Sequence, residues 1–118
     1  VFFEADDLVD LTSILPGTMT RGQGRMVFRQ VGDAHANNLQ ILHERYEPGA
    51  DTGEAMLSHP SREGGVVLSG RLEVTVGTDV RVLTAGEAYL FDSRIPHRFR
   101  NVGDDPCEVV SACTPPYL

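Results

Sequence analysis

Arg71-Leu-Glu-Val-Thr-Val76 is the stretch that decides the fold class of this chain. Leu72, Val74 and Val76 fall on one face and Arg71, Glu73 and Thr75 on the other, the period-two alternation of a strand buried on one side. Ser69-Gly70 before it and Gly77-Thr78-Asp79 after it are turn sequences. The same pattern repeats outward in both directions. Short β-branched and apolar runs at 25–29, 38–47, 54–59, 65–68, 80–83, 88–91, 97–101 and 107–112 are separated by Gly, Pro, Asp and Asn. Helical periodicity is weak throughout. Many short strands of this kind predict an all-β sandwich or barrel. The barrel domain is expected at 25–118. Residues 1–24 read as an N-terminal extension or sheet-edge segment, in which Leu8-Val9 and Ile14-Leu15 cover a sheet edge and 18–24 form a loop.

The 118 residues suffice for one core and not for two. Hydrophobic residues make up 41% of the chain, an ordinary share for a water-exposed globular domain, and no apolar run nears the ~20 residues needed to span a bilayer. A formal net charge of −7 repels a phosphate backbone, so direct nucleic-acid binding by this domain is not expected, and any DNA contact falls to another domain. The start, Val1-Phe-Phe-Glu-Ala-Asp-Asp, has no basic flank of a secretory signal and no Met, and it reads as a segment of something longer. Cys107 and Cys113 share one strand face if 107–113 is a single strand. They then lie roughly 20 Å apart, too far for a disulfide, and read as reduced thiols of a cytoplasmic protein.

The chemistry concentrates in two segments. The first is His59-Pro-Ser-Arg-Glu63, with Gly70 beyond it; the second runs from Gly86 through Asp92-Ser-Arg-Ile-Pro-His97 to Asn101. On neighbouring strands of a small barrel, His59, Glu63 and His97 can meet at one metal ion. Two imidazoles and a carboxylate suit iron(II) and similar divalent ions (zinc, nickel or manganese), and they leave coordination positions open for a small molecule. Alternation puts Phe99 and Asn101 on the face of His97, with Arg98 and Arg100 opposite. By the same count His59 shares its face with Leu57 and Ala55. A lone histidine on an apolar face is ordinarily core, but two of them beside a glutamate favour a ligand set.

From 48 to 101 the chain resembles the paired motifs of the cupin superfamily. The first motif, G-x5-HxH-x3/4-E-x6-G, is matched at Gly49 approximately, at His59, Glu63 and Gly70. The second, G-x5-PxG-xx-H-x3-N, is matched at Gly86, His97 and Asn101. The resemblance implies a single cupin barrel, a double-stranded β-helix or jelly roll. Leu57 stands where the motif has its first histidine, which implies three ligands in place of four, and Asp92 and Arg94 replace the usual proline and glycine. Leu57-Ser-His-Pro60, the run from Phe91 to Asn101 and the ending Thr114-Pro-Pro-Tyr117 are similar to cupin domains fused behind a helix-turn-helix in bacterial regulators. Hydroxypropylphosphonate epoxidase, a non-haem iron enzyme, resembles the same branch.

Further residues belong to the expected site. Arg62 and Arg94 are placed in loops beside the ligands, where they either stay solvated or clamp a carboxylate or phosphonate. Tyr46 and Tyr89 either pack in the core or present a phenol to the cavity, and Gln40 is a candidate substitute fourth ligand. His35 is expected in a polar loop, and the facing of His43 is open. The leading expectation is a small-molecule- and metal-binding sensor domain of a transcriptional regulator, forming a homodimer through exposed sheet edges. The alternative is a metal-dependent oxygenase, epoxidase or isomerase using the same three ligands. A third possibility is a metal-free barrel in which His59 and His97 bind a ligand directly.

Overall fold

The computed structural model describes residues 1–11 and 25–118, and it is built from two antiparallel sheets with almost no helix. The strands are β1 (Val9–Asp10), β2 (Met26–Gln30), β3 (Gln40–Tyr46), β4 (Arg62–Ser69), β5 (Arg71–Val76), β6 (Asp79–Thr84), β7 (Ala88–Asp92), β8 (His97–Asn101) and β9 (Cys107–Thr114). One sheet runs β1-β2-β3-β9-β4-β7 and the other β6-β5-β8. Alternation turns one face of most strands inward: Leu42 and Tyr46 from β3, Val67 from β4, Leu72 and Val74 from β5, Phe99 from β8 and Val109 from β9 meet in one core. This is the cupin jelly roll that the motifs imply. The expectations for Ile14-Leu15 and for 18–24 lie outside the described residues. Val9–Asp10 pairs with β2 at the sheet edge, and Leu11 is buried beyond it.

The strand at 71–76 forms with its expected bounds and facing, Leu72 and Val74 inward, and β8 matches its expected bounds. The turn between β4 and β5 admits only glycine. Gly70 sits at φ +82, and a Cβ there would lie 2.6 Å from the Pro106 carbonyl oxygen and 2.7 Å from the Cys107 Cα. Two expectations are corrected. The run at 54–59 is not a strand, and Ala55 is exposed, so alternation back from His59 stops at Leu57. Gly53, at φ +114 with its N–H bonded to the Asp51 side chain (2.8 Å), breaks the ladder, and only isolated bridges at Asp51–Arg100 and Leu57–His97 remain. The second correction concerns 34–37, which form a short helix capped by Asp33 and closed by Asn38 in the left-handed conformation. His35 is on that helix and exposed.

Both cysteines are free and buried on the inward face of β9. Burial pushes each thiol up to about 11, which leaves them protonated and unreactive near neutral pH.

Candidate metal centre

β8 delivers His97 by alternation. His97, Phe99 and Asn101 are buried, while Arg98 and Arg100 turn out to pair with Asp51 and Glu73. Asn101 is satisfied on both ends of its amide: it donates to the Tyr46 and Asp105 carbonyls (both 2.9 Å) and accepts from Gly103 N–H. Its part is structural. β4 delivers Glu63 on the same inward face as Gly65 and Val67. His59 stands on irregular chain, and backbone bonds fix it in place: His59 N–H to the Ser93 carbonyl (3.0 Å) and Ser93 N–H to the Ser61 carbonyl (2.8 Å). Leu57 and His97 exchange two backbone bonds of 2.8 and 2.9 Å, so the loop carrying one histidine is tied to the strand carrying the other.

These three side chains converge. Glu63 Oε1 lies 2.8 Å from His97 Nε2 and 3.7 Å from His59 Nε2, and one donor atom from each residue lies within 4.8 Å of the others. The contact of 2.8 Å lacks the alignment of a hydrogen bond. His97 Nε2, Glu63 Oε1 and both ring nitrogens of His59 are buried with no hydrogen-bond partner. Orphaned buried polar atoms cost about 1–3 kcal/mol each, and four in one place call for an explanation. Donors around one ion at ~2.0–2.2 Å stand ~2.8–3.6 Å apart between right-angle and tetrahedral geometry, close to the 2.8 and 3.7 Å observed from Glu63 Oε1.

The protonation pattern also suits a metal. His97 Nδ1 lies 2.8 Å from the Ile95 carbonyl oxygen. A carbonyl only accepts, so Nδ1 carries the proton and, in the neutral ring, Nε2 offers its lone pair to the cavity. Burial pushes the His97 imidazolium down, but Glu63 and the Ile95 carbonyl outweigh it and hold the pKa above the ordinary value. Burial lowers that of His59, with His97 adding to the effect against Glu63. The residues fit a divalent ion held by two neutral imidazoles and one carboxylate.

The cavity beside this triad measures ≈ 20 Å³, room for roughly one water. Gln40, Glu44, Tyr46, Leu57, Glu63, Tyr89, Ser111 and Tyr117 are among its walls. Gln40 is buried, and its Oε1 accepts from the N–H groups of Tyr117 (3.2 Å) and Leu118 (3.0 Å), so the amide oxygen expected as a fourth ligand tethers the C-terminal segment. Tyr46 is fully buried and donates its hydroxyl to Glu44 Oε1 (2.7 Å). Tyr89 packs across Gly65, where a Cβ would meet its hydroxyl at 2.6 Å. The arginines go elsewhere. Arg62 is in β4, not in a loop, and its exposed side chain takes the face opposite Glu63. Arg94 occupies the 92–95 turn, largely exposed, with its guanidinium on Asp92 (3.3 Å). Neither lines the cavity, because strand alternation sends one out and the turn sends the other into solvent.

Three participants escaped sequence reasoning. Glu44 is 6% exposed and hydrogen-bonded to Tyr46 and Ser111. Burial, partly offset by those two bonds, raises its pKa to about 7. Parity gives its signal: Gln40, Leu42, Glu44 and Tyr46 form the inward face of β3, which sets His43 outward against Glu108 at 3.5 Å. Ser111 is found the same way on β9. Tyr117 stacks flat on His59, centroids 3.9 Å apart at 1°, and no strand periodicity announces it.

A family model described as Cupin domain matches residues 42–113. The chain is 33% identical over 116 residues to the HTH-type transcriptional regulator PuuR of Escherichia coli (strain K12), an alignment covering 98% of this chain and 57% of that protein. The chain thus spans a little over half the length of that relative. A predicted oxalate decarboxylase from Thermotoga maritima superposes with a TM-score of 0.80 at 17% identity, covering 98% of this chain and 100% of the other. The Cupin_2 domain of an XRE family transcriptional regulator from Enterobacter cloacae superposes with a TM-score of 0.68 at 24% identity, covering 78% of this chain and 98% of the other. At these identities the two solved structures show a shared fold.

Proposed function

The chain belongs to the cupin family, and from that premise we propose that it is the effector-binding domain of a transcriptional regulator, with a divalent metal ion held by His59, Glu63 and His97. The observation that carries the regulatory reading is the likeness to a helix-turn-helix regulator through 98% of the chain, far beyond the two motifs. The metal reading is supported by three buried side chains, His59, Glu63 and His97, each with a donor atom that has no hydrogen-bond partner and lies within reach of one ion. When bound, the ion supplies Lewis acidity and open coordination positions for an oxygen or nitrogen atom of the effector.

The chain's own residues set what that effector is. With Arg62 and Arg94 turned away, no arginine is among the cavity walls formed by the described residues, so a clamped carboxylate or phosphonate is not the ligand the walls select. Glu44, Ser111 and Tyr46 offer acceptors and hydroxyls to a small polar group that carries a hydrogen-bond donor, such as a hydroxyl or an amine. Entry needs movement. The cavity holds about one water, and anything larger has to displace Tyr117 from His59. A ligand shifts an equilibrium only through unequal affinity for its two states, and the 114–118 segment, seated or displaced, supplies two such states.

Elemental analysis and titration with iron(II), zinc, nickel and manganese test the metal. About one equivalent per chain is expected in the parent and none in His97→Ala. Failure of all four ions to bind would end the metal reading. For the regulatory half, the sequence preceding Val1 in the complete gene decides, with a DNA-binding domain expected there. Rapid oxygen consumption by the iron(II)-loaded domain in the presence of a small-molecule substrate would replace the sensor with an enzyme.

A further inference from the structure

The two sheets part along one flank of the barrel. β6 ends the smaller sheet, β7 ends the larger, and no ladder joins them. Between these edges lies a cavity of ≈ 220 Å³, lined by Val74, Val76 and Leu83 from one sheet and by Tyr89 and Phe91 from the other. The Phe91 ring stands 4.9 Å from that of His97 and 5.8 Å from that of Tyr89, centroid to centroid. Tyr89 is also a wall of the small cavity beside the triad. The two rings therefore partition the flank cavity from the proposed metal centre, and none of His59, Glu63 and His97 is among its walls. An apolar cavity of about 150 Å³ holds benzene, so this one has room for a phenyl ring or a branched aliphatic chain.

β6 carries its charges on the inward face. Buried Leu83 fixes the parity, so Asp79 and Arg81 lie on the interior side, paired with Val76 and Val74 of β5. Val80 and Val82 take the solvent side, 55% and 40% exposed, which inverts the usual pattern. Asp79 and Arg81 both line the cavity. Arg81 Nε lies 3.9 Å from Asp79 Oδ1, beyond hydrogen-bond reach, so each keeps donors or acceptors for a third party. Glu87, the other carboxylate that Arg81 influences, already accepts from the Thr84 N–H and hydroxyl (both 2.8 Å). Inward charges also guard an open strand edge against pairing with another chain. That role requires neither a cation and an anion together nor an apolar hollow beside them. The rim selects the ligand by exclusion: a plain carboxylate would face Asp79, and a plain amine would face Arg81. A molecule bearing both charges next to an apolar body meets no like charge.

We propose that the flank cavity between β6 and β7 binds a small hydrophobic α-amino acid, with its side chain in the hollow, its carboxylate on Arg81 and its ammonium on Asp79. The site stands apart from the metal and from the regulatory reading, so failure of either leaves it intact. Titration of the methyl-labelled chain with L-leucine or L-phenylalanine, followed by NMR, should shift the methyl signals of Val74, Val76 and Leu83 saturably. The dissociation constant should be on the order of a millimolar, as fits so few ligand atoms. Glycine, which lacks the apolar body, should leave those signals in place. Isocaproate and isoamylamine, which each lack one charge of leucine, should bind roughly 2- to 5-fold more weakly, the worth of one exposed ion pair. Arg81→Gln, at a side chain 77% exposed, should weaken leucine by a similar factor with unchanged circular dichroism. Val76→Phe should fill the hollow and abolish the shifts. Methyl signals unmoved by about ten times the expected dissociation constant would overturn the proposal, leaving the charges as an edge guard alone. So would isocaproate or isoamylamine binding as tightly as leucine, or an Arg81→Gln variant that binds leucine like the parent.

Discussion

At the scale of single residues, His97 shows how strand parity brings a proposed ligand to the cavity. Its Nδ1–H is spent on the Ile95 carbonyl and its Nε2 faces Glu63. The metal competes with a proton at Nε2, and the raised pKa means that the proton competes well in mildly acidic solution. Metal retention is therefore expected to fall on acidification, beginning at a higher pH than an ordinary imidazole would give, as followed by competition with a chelator. His97→Ala should weaken binding by roughly 100-fold or more without unfolding the barrel, since even loss of an outer-sphere partner costs up to about that much. Glu44 gives a second test. Its pKa is about 4.5 unfolded and about 7 folded, so between these values the native state holds a proton that the unfolded chain has released. Stability from this group is full below about 4.5 and is lost as pH rises through about 7, a total of about 3 kcal/mol. Denaturant titrations of Glu44→Gln should lack this component, so the parent-minus-variant difference should slope downward from pH 5 to pH 8. A flat difference would show that Glu44 does not titrate in that window.

At the scale of elements, the site hangs on one strand that the sequence announces and one loop that it does not. β8 is legible because His97, Phe99 and Asn101 alternate with charged residues. The 49–59 loop imitates a strand in composition yet touches β8 only at its two ends. Gly53 and the Asp51 turn divert its middle, and the Asp51–Arg98 ion pair (Nε to Oδ1, 2.9 Å) anchors the bend. Leu57 remains beside His59 and lines the cavity. Leu57→His is expected to add a fourth donor and slow metal loss to a chelator. No change in that rate would place the leucine side chain outside reach of the ion. The C-terminal segment closes the same mouth through Tyr117 on His59 and the two N–H groups on Gln40. Tyr117→Ala should accelerate metal release by about 2- to 10-fold, the rate equivalent of an aromatic contact worth ~0.5–1.5 kcal/mol, while leaving equilibrium affinity nearly unchanged.

For the whole molecule, two sheets of alternating faces enclose one core and place the three donors at its mouth. The acidic balance of the chain, −7, bears on the proposed regulatory role. Alone it should fail to shift duplex DNA in a gel assay at any salt concentration, because attraction to phosphates is absent at low salt and screened at high salt. A shift by the isolated domain would assign DNA contact to the barrel itself.

The fold class, the positions of most strands and the spacing of His59, Glu63 and His97 are legible along the chain without any coordinates. These are local properties: side-chain parity has period two wherever a strand forms, and turn glycines such as Gly70 are fixed by backbone geometry. The sequence also misled locally. Arg62 and Arg94 lie next to the ligands in sequence, but one falls on the opposite parity and the other is held in a turn by Asp92. Which non-adjacent strands share a face, and which segment returns to cover the cavity, is settled by long-range strand pairing. Glu44 meets Ser111 because β3 pairs with β9, and Tyr117 reaches His59 because the chain leaving β9 folds back over the barrel mouth. Such contacts join residues more than fifty positions apart, and no periodicity along the chain encodes which distant partner a buried carboxyl or a terminal ring will find.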